Sequence, residues 1–472
     1  MMADATPPDW LEEEPGTRVA LLPGRFNCTD LGNAERLVAT YRDEIRYCPQ
    51  RKKWLNWDGK RWLWDDVGII ERKAKRAVRA IMAEADGLDE RQAQALRSWS
   101  FKSEDSKRIK AMVALAQTED GIPILISELD RDPFLLNAGN GTIDLRDGSL
   151  REHRKSDMMT RTTGVDYVFG ERSELWDRVL SEACGGDQEL STYIQTVAGY
   201  SLIGTPLERA FFFLHGPPGT AKSTLLDALH AAMGDYAEPS DFDTWLLKTQ
   251  VGGNRGDLVR LAGARLVTSS EAKPGAKWDE AIIKKITGGD ALTYSAKYEN
   301  EVSFRASFSL LFAANDAPSA REDDDGFWVR MKRIPLTHQI PVEKQDKHLK
   351  LKLQKPKHAR AILSWAVAGA ARYLADKQFP SCAAVEKSTA DYRSDLDHFA
   401  EFLHDCCTIE DGARYDRDAL MHAYQDWGKV VGRKSLLQAK AVAEKLRARG
   451  MGEGKSAGRR YWSGIRKQEA TD

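Results

Sequence analysis

The chain has 472 residues, room for about three domains, and 42% of them are hydrophobic. Its 70 basic and 71 acidic residues nearly cancel, which excludes a uniformly basic nucleic-acid coat and an acidic solvating tail, so any basic surface must be local. No apolar run approaches the roughly 18–20 residues that span a bilayer, the acidic start M-M-A-D-A-T-P-P-D-W-L-E-E-E has no basic-then-apolar leader, and Cys28, Cys48, Cys184, Cys382, Cys406 and Cys407 form no C-x-x-C pair, against a zinc ribbon or a disulfide scaffold.

These features predict a reduced, cytoplasmic protein without a membrane partner. Residues 1–25, rich in Pro and acids, are expected to be poorly ordered. Residues 26–170 read as an α+β domain. Leu31, Ala34, Leu37, Val38, Tyr41 and Ile45 recur at helical spacing. In W-L-N-W-D-G-K-R-W-L-W (54–64), Asp58-Gly59 between aromatic runs signals a hairpin with a two-residue turn. Residues 67–119 read as mostly helical. Residues 134–150 read as a second β unit with turns at Asn140-Gly141 and Asp147-Gly148. Residues 171–204 form a helical, collar-like segment.

From 205 to 378 apolar strands alternate with helices: A-F-F-F-L (210–214), R-L-V-T-S-S (265–270) and F-S-L-L-F-A-A (308–314). That pattern predicts an α/β core with a parallel sheet, closed by an Ala-rich helix over 359–376. Residues 379–472 read as a separate tail domain.

The most informative segment is F-F-F-L-H-G-P-P-G-T-A-K-S-T-L-L-D-A-L (211–229). Strand, loop and helix follow one another as a P-loop requires. Backbone N–H groups of the loop can wrap a β-phosphate, and the helix N-terminus adds positive potential. The predicted nucleotide-binding set is Gly216, Pro217, Pro218, Gly219, Thr220, Ala221, Lys222, Ser223 and Thr224. Lys222 would reach the β- and γ-phosphates of ATP, and Ser223 would ligate Mg²⁺. Ala221 stands where the usual pattern has a second Gly, and its methyl restricts φ.

Other groups fall at the ends of core strands. Glu271 ends R-L-V-T-S-S and can polarise the attacking water and orient Mg²⁺. Asn315 ends F-S-L-L-F-A-A and can hold the lytic water or the γ-phosphate. In E-D-D-D-G-F-W-V-R-M-K-R-I-P-L (322–336), Arg330 is the first candidate, ahead of Arg333, for a cation lent to a neighbouring subunit's γ-phosphate. The acidic run Glu322 to Asp325 reads as a solvated loop. Between Glu271 and Asn315, a predicted hairpin carries Lys297-Tyr298 near its middle, a lysine and an aromatic suited to single-stranded DNA.

The tail reads as helical over 396–430. Residues 433–467 hold eleven Lys/Arg against two Glu. A helix over 436–449, Gly450 and then R-R-Y-W-S-G-I (459–465) fit a winged-helix module with Arg459 and Arg460 on its wing. Cys406-Cys407 is expected to serve helix packing.

Taken together, G-P-P-G-T-A-K-S, V-T-S-S-E, K-K-I-T-G-G-D, A-A-N-D-A-P and G-F-W-V-R-M-K-R-I-P resemble superfamily 3 helicases. More narrowly the set is similar to the C-terminal helicase half of phage/plasmid primase–helicases, related to the poxvirus primase-helicase NTPase. F-N-C-T-D-L-G-N-A-E-R-L (26–37), W-L-N-W-D-G-K-R-W (54–62) and L-N-A-G-N-G-T-I-D-L (136–145) resemble the domain that precedes the helicase in that family. The resemblance implies an AAA+-type NTPase that assembles as a ring, a hexamer, and moves 3′→5′ on single-stranded and forked DNA in a mobile-element replication system, with a separate primase as a further partner. It puts Lys222 and Ser223 on phosphate and metal, Glu271 on the water, Asn315 on sensing and Arg330 in trans. Some 25 residues precede F-N-C-T-D and no zinc-binding cysteine set is present, so priming activity is not expected. A DNA-bound initiator or loader that melts an origin without processive unwinding is the alternative. A small-molecule P-loop kinase leaves the basic tail unexplained.

Overall fold

The computed structural model describes residues 26–468 except 249–254, 274, 296–300, 322–323, 342, 344, 397, 433–435 and 457. The expectation for residues 1–25 lies outside the described residues. The chain begins with α1 (Asp30–Tyr41), capped by Thr29, whose side chain accepts the Gly32 N–H at 3.0 Å. A three-stranded antiparallel sheet follows: β1 (Ile45–Cys48), β2 (Lys53–Trp57) and β3 (Trp62–Trp64). Ile45 therefore opens a strand and does not continue the helix. It kept the helical spacing because it is buried in the same apolar cluster as Leu37 and Val38. The hairpin is present, but its connection has four residues, not two. The Asp58 carboxylate accepts the N–H groups of Lys60 and Arg61, both at 2.8 Å, a side-chain closure that replaces the tight turn.

Helices α2 (Ile69–Ala80), α3 (Glu90–Ser103) and α4 (Ser106–Ala116) complete this unit. Arg36 of α1 is fully buried and meets Glu84 at 2.8 Å. A second meander, β4 (Leu135–Ala138), β5 (Gly141–Asp144) and β6 (Ser149–Arg151), turns where Asn140-Gly141 and Asp147-Gly148 predict.

Two helices, α5 (Glu174–Ala183) and α6 (Gln188–Tyr200), lead into the α/β core. Its elements in order are β7 (Phe211–His215), α7 (Lys222–Met233), β8 (Ala237–Pro239), α8 (Gly256–Val259), β9 (Leu266–Ser270), α9 (Glu280–Thr287), the hairpin β10 (Ala291–Ser295) and β11 (Glu301–Arg305), β12 (Ser309–Ala314), α10 (Asp325–Trp328), β13 (Met331–Pro335), α11 (Leu349–Leu353) and α12 (Pro356–Asp376). Five strands pair in parallel in the order β13-β7-β12-β9-β8.

A parallel sheet is covered on both faces, so its central strands are apolar throughout. Alternate residues of β7 serve opposite sides. Phe212 and Leu214 join one cluster with α6, α7 and α12, while Phe211 and Phe213 join another with Trp245, Trp278 and Phe312. Helices α6 and α12 cross on glycines. A Cβ on Gly199 would lie 2.0 Å from the Ala370 nitrogen, and one on Gly369 would lie 2.2 Å from the Gln195 carbonyl oxygen.

The first of these clusters also holds Leu136, Tyr167, Trp176 and Val385. One apolar core thus runs through the sequence boundaries drawn at 170, 204 and 378. Helix α13 (Ala383–Asp395) lies on β13, and Tyr392 is buried in the second cluster. The tail's own core begins at Phe399. It is built from α14 (His398–Cys406), β14 (Cys407–Asp416), α15 (Arg417–Val430), α16 (Ala439–Ala448), β15 (Gly452–Ser456) and β16 (Arg459–Lys467), with strand order β14-β16-β15. That is the helix–strand–helix–helix–strand–strand order of a winged helix. The stretch read as helical over 396–430 contains β14. Its spacing misled because Phe399, Phe402, Leu403 and Cys407 share one cluster across the helix–strand junction. Cys407 accordingly packs from a strand, and all six cysteines are free thiols.

Candidate nucleotide site

The loop between β7 and α7 sits at the carboxyl end of the sheet. It passes so close to the segment after β13 that a Cβ on Gly216 would lie 1.8 Å from the Leu336 carbonyl oxygen. Ala221 is left-handed, with φ 63° and ψ 9°, the conformation the usual Gly adopts freely. Lys222 opens α7 and is 8% exposed. Its ammonium donates to the carbonyls of Gly216 (2.6 Å) and Pro217 (2.8 Å) and to Thr220 Oγ1 (3.1 Å). Burial lowers its pKa. The amine is thus folded onto the loop that an incoming phosphate would enter.

Glu271 and Asn315 follow β9 and β12, whose registers set them beside this loop: Ala314 is level with His215, and Ala313 with Ser270. Glu271 has φ 72°, and its N–H donates to the Ala313 carbonyl at 3.1 Å. A left-handed glutamate carries backbone strain. Lys222, Ser223, Glu271 and Asn315 all line one cavity of about 710 Å³. The sequence-predicted set is therefore brought together, apart from its arginine. The same cavity is lined by residues that the sequence did not mark: Arg178, Val179 and Glu182 of α5, and Ile340, Gln345 and Leu349 after β13. No motif spacing links them to the loop.

His215, the last residue of β7, is held neutral. Burial first, then the charges of Arg333 and Lys222, push its pKa down to about 4. Arg333 Nη2 lies 2.8 Å from its Nδ1, and the Arg333 guanidinium covers the Tyr392 ring at 4.9 Å. Arg333 is thereby engaged inside its own chain. Arg330 is elsewhere. Its carbonyl accepts the Phe211 N–H at 2.9 Å, which puts it at the amino end of β7, about 17 Å of strand away from the phosphate loop. It donates to the Gly326 carbonyl, and among the described residues its buried Nε has no partner. Arg209, Lys284, Lys285 and Asp290 share its depression of about 410 Å³.

Lys297 and Tyr298 lie outside the described residues; the hairpin that carries them pairs from Ala291↔Arg305 to Ser295↔Glu301. Arg459 and Arg460 are exposed at the start of β16. Lys455 stands directly across from Arg460, and Arg414 covers the Tyr461 ring at 4.7 Å. Of the acidic run, Asp324 pairs with Lys284 and Arg321, and Asp325 with Arg393. Among the described residues no group of three or more His, Cys, Asp or Glu could hold a metal ion, and no helix is long and apolar enough to cross a membrane.

Residues 34–185 match the family described as D5 N terminal like. The chain resembles the phage-type primase–helicases. Residues 214–333, which contain the phosphate loop, Glu271, Asn315 and Arg330, match a family of unknown function, DUF5906. A curated relative is named "Putative helicase L207/L206", from Acanthamoeba polyphaga mimivirus. It is 28% identical over 218 residues, which are 45% of this chain and 23% of that protein. The chain thus spans about a quarter of that relative's length. Similar solved structures include the apo structure of the NrS-1 C terminal region, with TM-score 0.48 and 12% identity over 93% of this chain and 99% of that one. Another is its A form, with TM-score 0.47 and 11% identity over 91% and 98%.

Proposed function

We propose that the protein is an ATP-dependent DNA helicase that works as a ring of identical subunits, a hexamer moving 3′→5′, in the replication of a phage, plasmid or other mobile element. The observation that carries this reading is the convergence of Lys222, Ser223, Glu271 and Asn315 on one cavity while Arg330 sits at the opposite end of the same sheet. An arginine at that distance cannot serve its own phosphate loop. It can serve a neighbour's, which supports a shared site.

The loop N–H groups and Lys222 hold the triphosphate. Lys222 exchanges its loop carbonyls for phosphate oxygens. The donor set suits a magnesium ion, because the Ser223 hydroxyl and the Glu271 carboxylate border the cavity beside the loop. Bound magnesium supplies charge neutralisation on the phosphates. Glu271 takes the proton of the attacking water. The new bond forms between that water's oxygen and the γ-phosphorus, the bond from the γ-phosphorus to the bridging oxygen breaks, and ADP carries away the negative charge. Asn315 orients the water. Arg330 of a neighbouring copy offsets charge on the transferring group.

The tail supports a DNA partner. Lys455 and Arg460 are like charges facing across an antiparallel ladder, a pairing that is unfavourable alone and relieved by a phosphate backbone. Displacement of one strand of a forked duplex tests the reading. Unwinding that survives addition of trap DNA is expected. ATP-dependent footprinting without displacement would make the protein an initiator or loader, and ATPase activity indifferent to DNA would exclude both.

A further inference from the structure

We infer that α5 completes the nucleotide site: Arg178 and Glu182 grip the nucleoside end of the ligand, with the Glu182 carboxylate accepting a hydrogen bond from it. This rests on the phosphate-loop reading and extends it to the other half of the ligand.

Three observations carry it. First, the cavity does not end at the phosphate loop. At about 710 Å³ it has the size of a small-molecule site, and its lining takes in α5 as well as the segment holding Ile340 and Leu349, whose Ile340 N–H is bonded to the Gly219 carbonyl of the loop at 3.1 Å. The apolar lining is there: Val179 is buried in the main core, and Leu349 packs against it. Second, Arg178 and Glu182 are four residues apart, so they lie on one face of α5, and both border the cavity. They carry opposite charges at a spacing that favours an ion pair, yet neither side chain has a hydrogen bond or ion pair among the described residues. Third, the sign of Glu182 decides which end it serves. A carboxylate repels a triphosphate, whereas it accepts from the ribose hydroxyls or base N–H groups of a nucleoside. Arg178 offers a planar guanidinium that stacks on a base.

The consequence reaches beyond one contact. Helix α5 falls within residues 34–185, the first family match, and the phosphate loop within residues 214–333, the second. One ligand would bridge the two regions.

Titration of the purified full chain with ATP, dATP and inorganic tripolyphosphate, each with magnesium, tests this by calorimetry. Tripolyphosphate has the phosphates without the nucleoside. In the parent protein ATP is expected to bind at least about tenfold tighter than tripolyphosphate, the factor one good hydrogen bond supplies. Glu182→Ala should weaken ATP by about tenfold and leave tripolyphosphate within about twofold. A preference for ATP over dATP that Glu182→Ala abolishes assigns the carboxylate to the 2′-hydroxyl; equal parent affinities assign it to the 3′-hydroxyl or the base. Both support the inference. Unchanged ATP affinity, or equal loss for both ligands, overturns it while leaving the phosphate loop intact. A parent protein that binds neither ligand removes the phosphate-loop reading, and this inference with it. Glu182 is exposed on a helix and Ala is the best helix former, so the variant keeps its fold.

Discussion

Arg333 Nη2 lies 2.8 Å from His215 Nδ1, so the edge strand of the sheet is bonded to the residue immediately before the phosphate loop. The pair fixes the protonation of the site. The His215 pKa falls from 6.5 to about 4, by burial and then by the charges of Arg333 and Lys222. Between those values the unfolded chain binds a proton that the folded chain refuses, so stability rises with pH through this window and is flat above it. His215→Gln should therefore show a shallower loss of stability than the parent as pH drops from 6.5 toward 4. Urea denaturation at a series of pH values measures the difference.

Ala221 is left-handed at φ 63°, where an L-residue is strained by about 1 kcal/mol or more. Ala221→Gly should raise stability by about 1 kcal/mol, because relief of strain exceeds the added freedom of the unfolded chain. Ala221→Val should lower it. Thermal melts of the two variants against the parent check the sign.

Removing the Lys222 amine deletes three loop hydrogen bonds and, in the proposed role, the phosphate contact that would replace them. Lys222→Ala should abolish turnover and weaken nucleotide binding. Arg330→Ala should abolish turnover and leave binding intact, since Arg330 lies at the other end of the sheet. If the proposed site is shared between subunits, a mixture of the two variants should regain part of the ATPase activity. Complete absence of rescue in a steady-state assay contradicts a shared site.

Arg36 is fully buried, with Glu84 bridging Nε and Nη2 and the carbonyls of Phe26 and Asn27 and Asn33 Oδ1 also accepting from it. Glu84→Ala strands a buried cation and should cost about 3–5 kcal/mol. Pairing Glu84→Leu with Arg36→Met should recover most of that. Chemical denaturation of the three proteins reads the difference.

The strand–loop–helix that carries Lys222 was legible because its parts are contiguous: an apolar strand, a Gly/Pro loop, Lys222 and a helix. Glu271 and Asn315 were legible because each ends an apolar run, and parallel strands bring such ends to one edge. The short strands β8 and β13 escaped, since β13 carries Lys332 and Arg333 in five residues and reads as polar. Strand β14 was masked by helix-like spacing from α14. The wall formed by α5 was not legible at all. Arg178 and Glu182 reach the cavity only through packing of α5 in the main core, and that is a property of the folded chain.

The merged core has a practical bearing on dissecting the molecule. Leu136, Tyr167 and Trp176 bury their side chains in the same apolar mass as Phe212, Leu229 and Val367. A gene fragment opened at residue 205 would strip those residues away, bare a greasy scar and invite clumping during expression. A cut just upstream of Phe134 keeps that mass whole, and the helical layer around Arg36, which has its own cluster, is the part to be shed first.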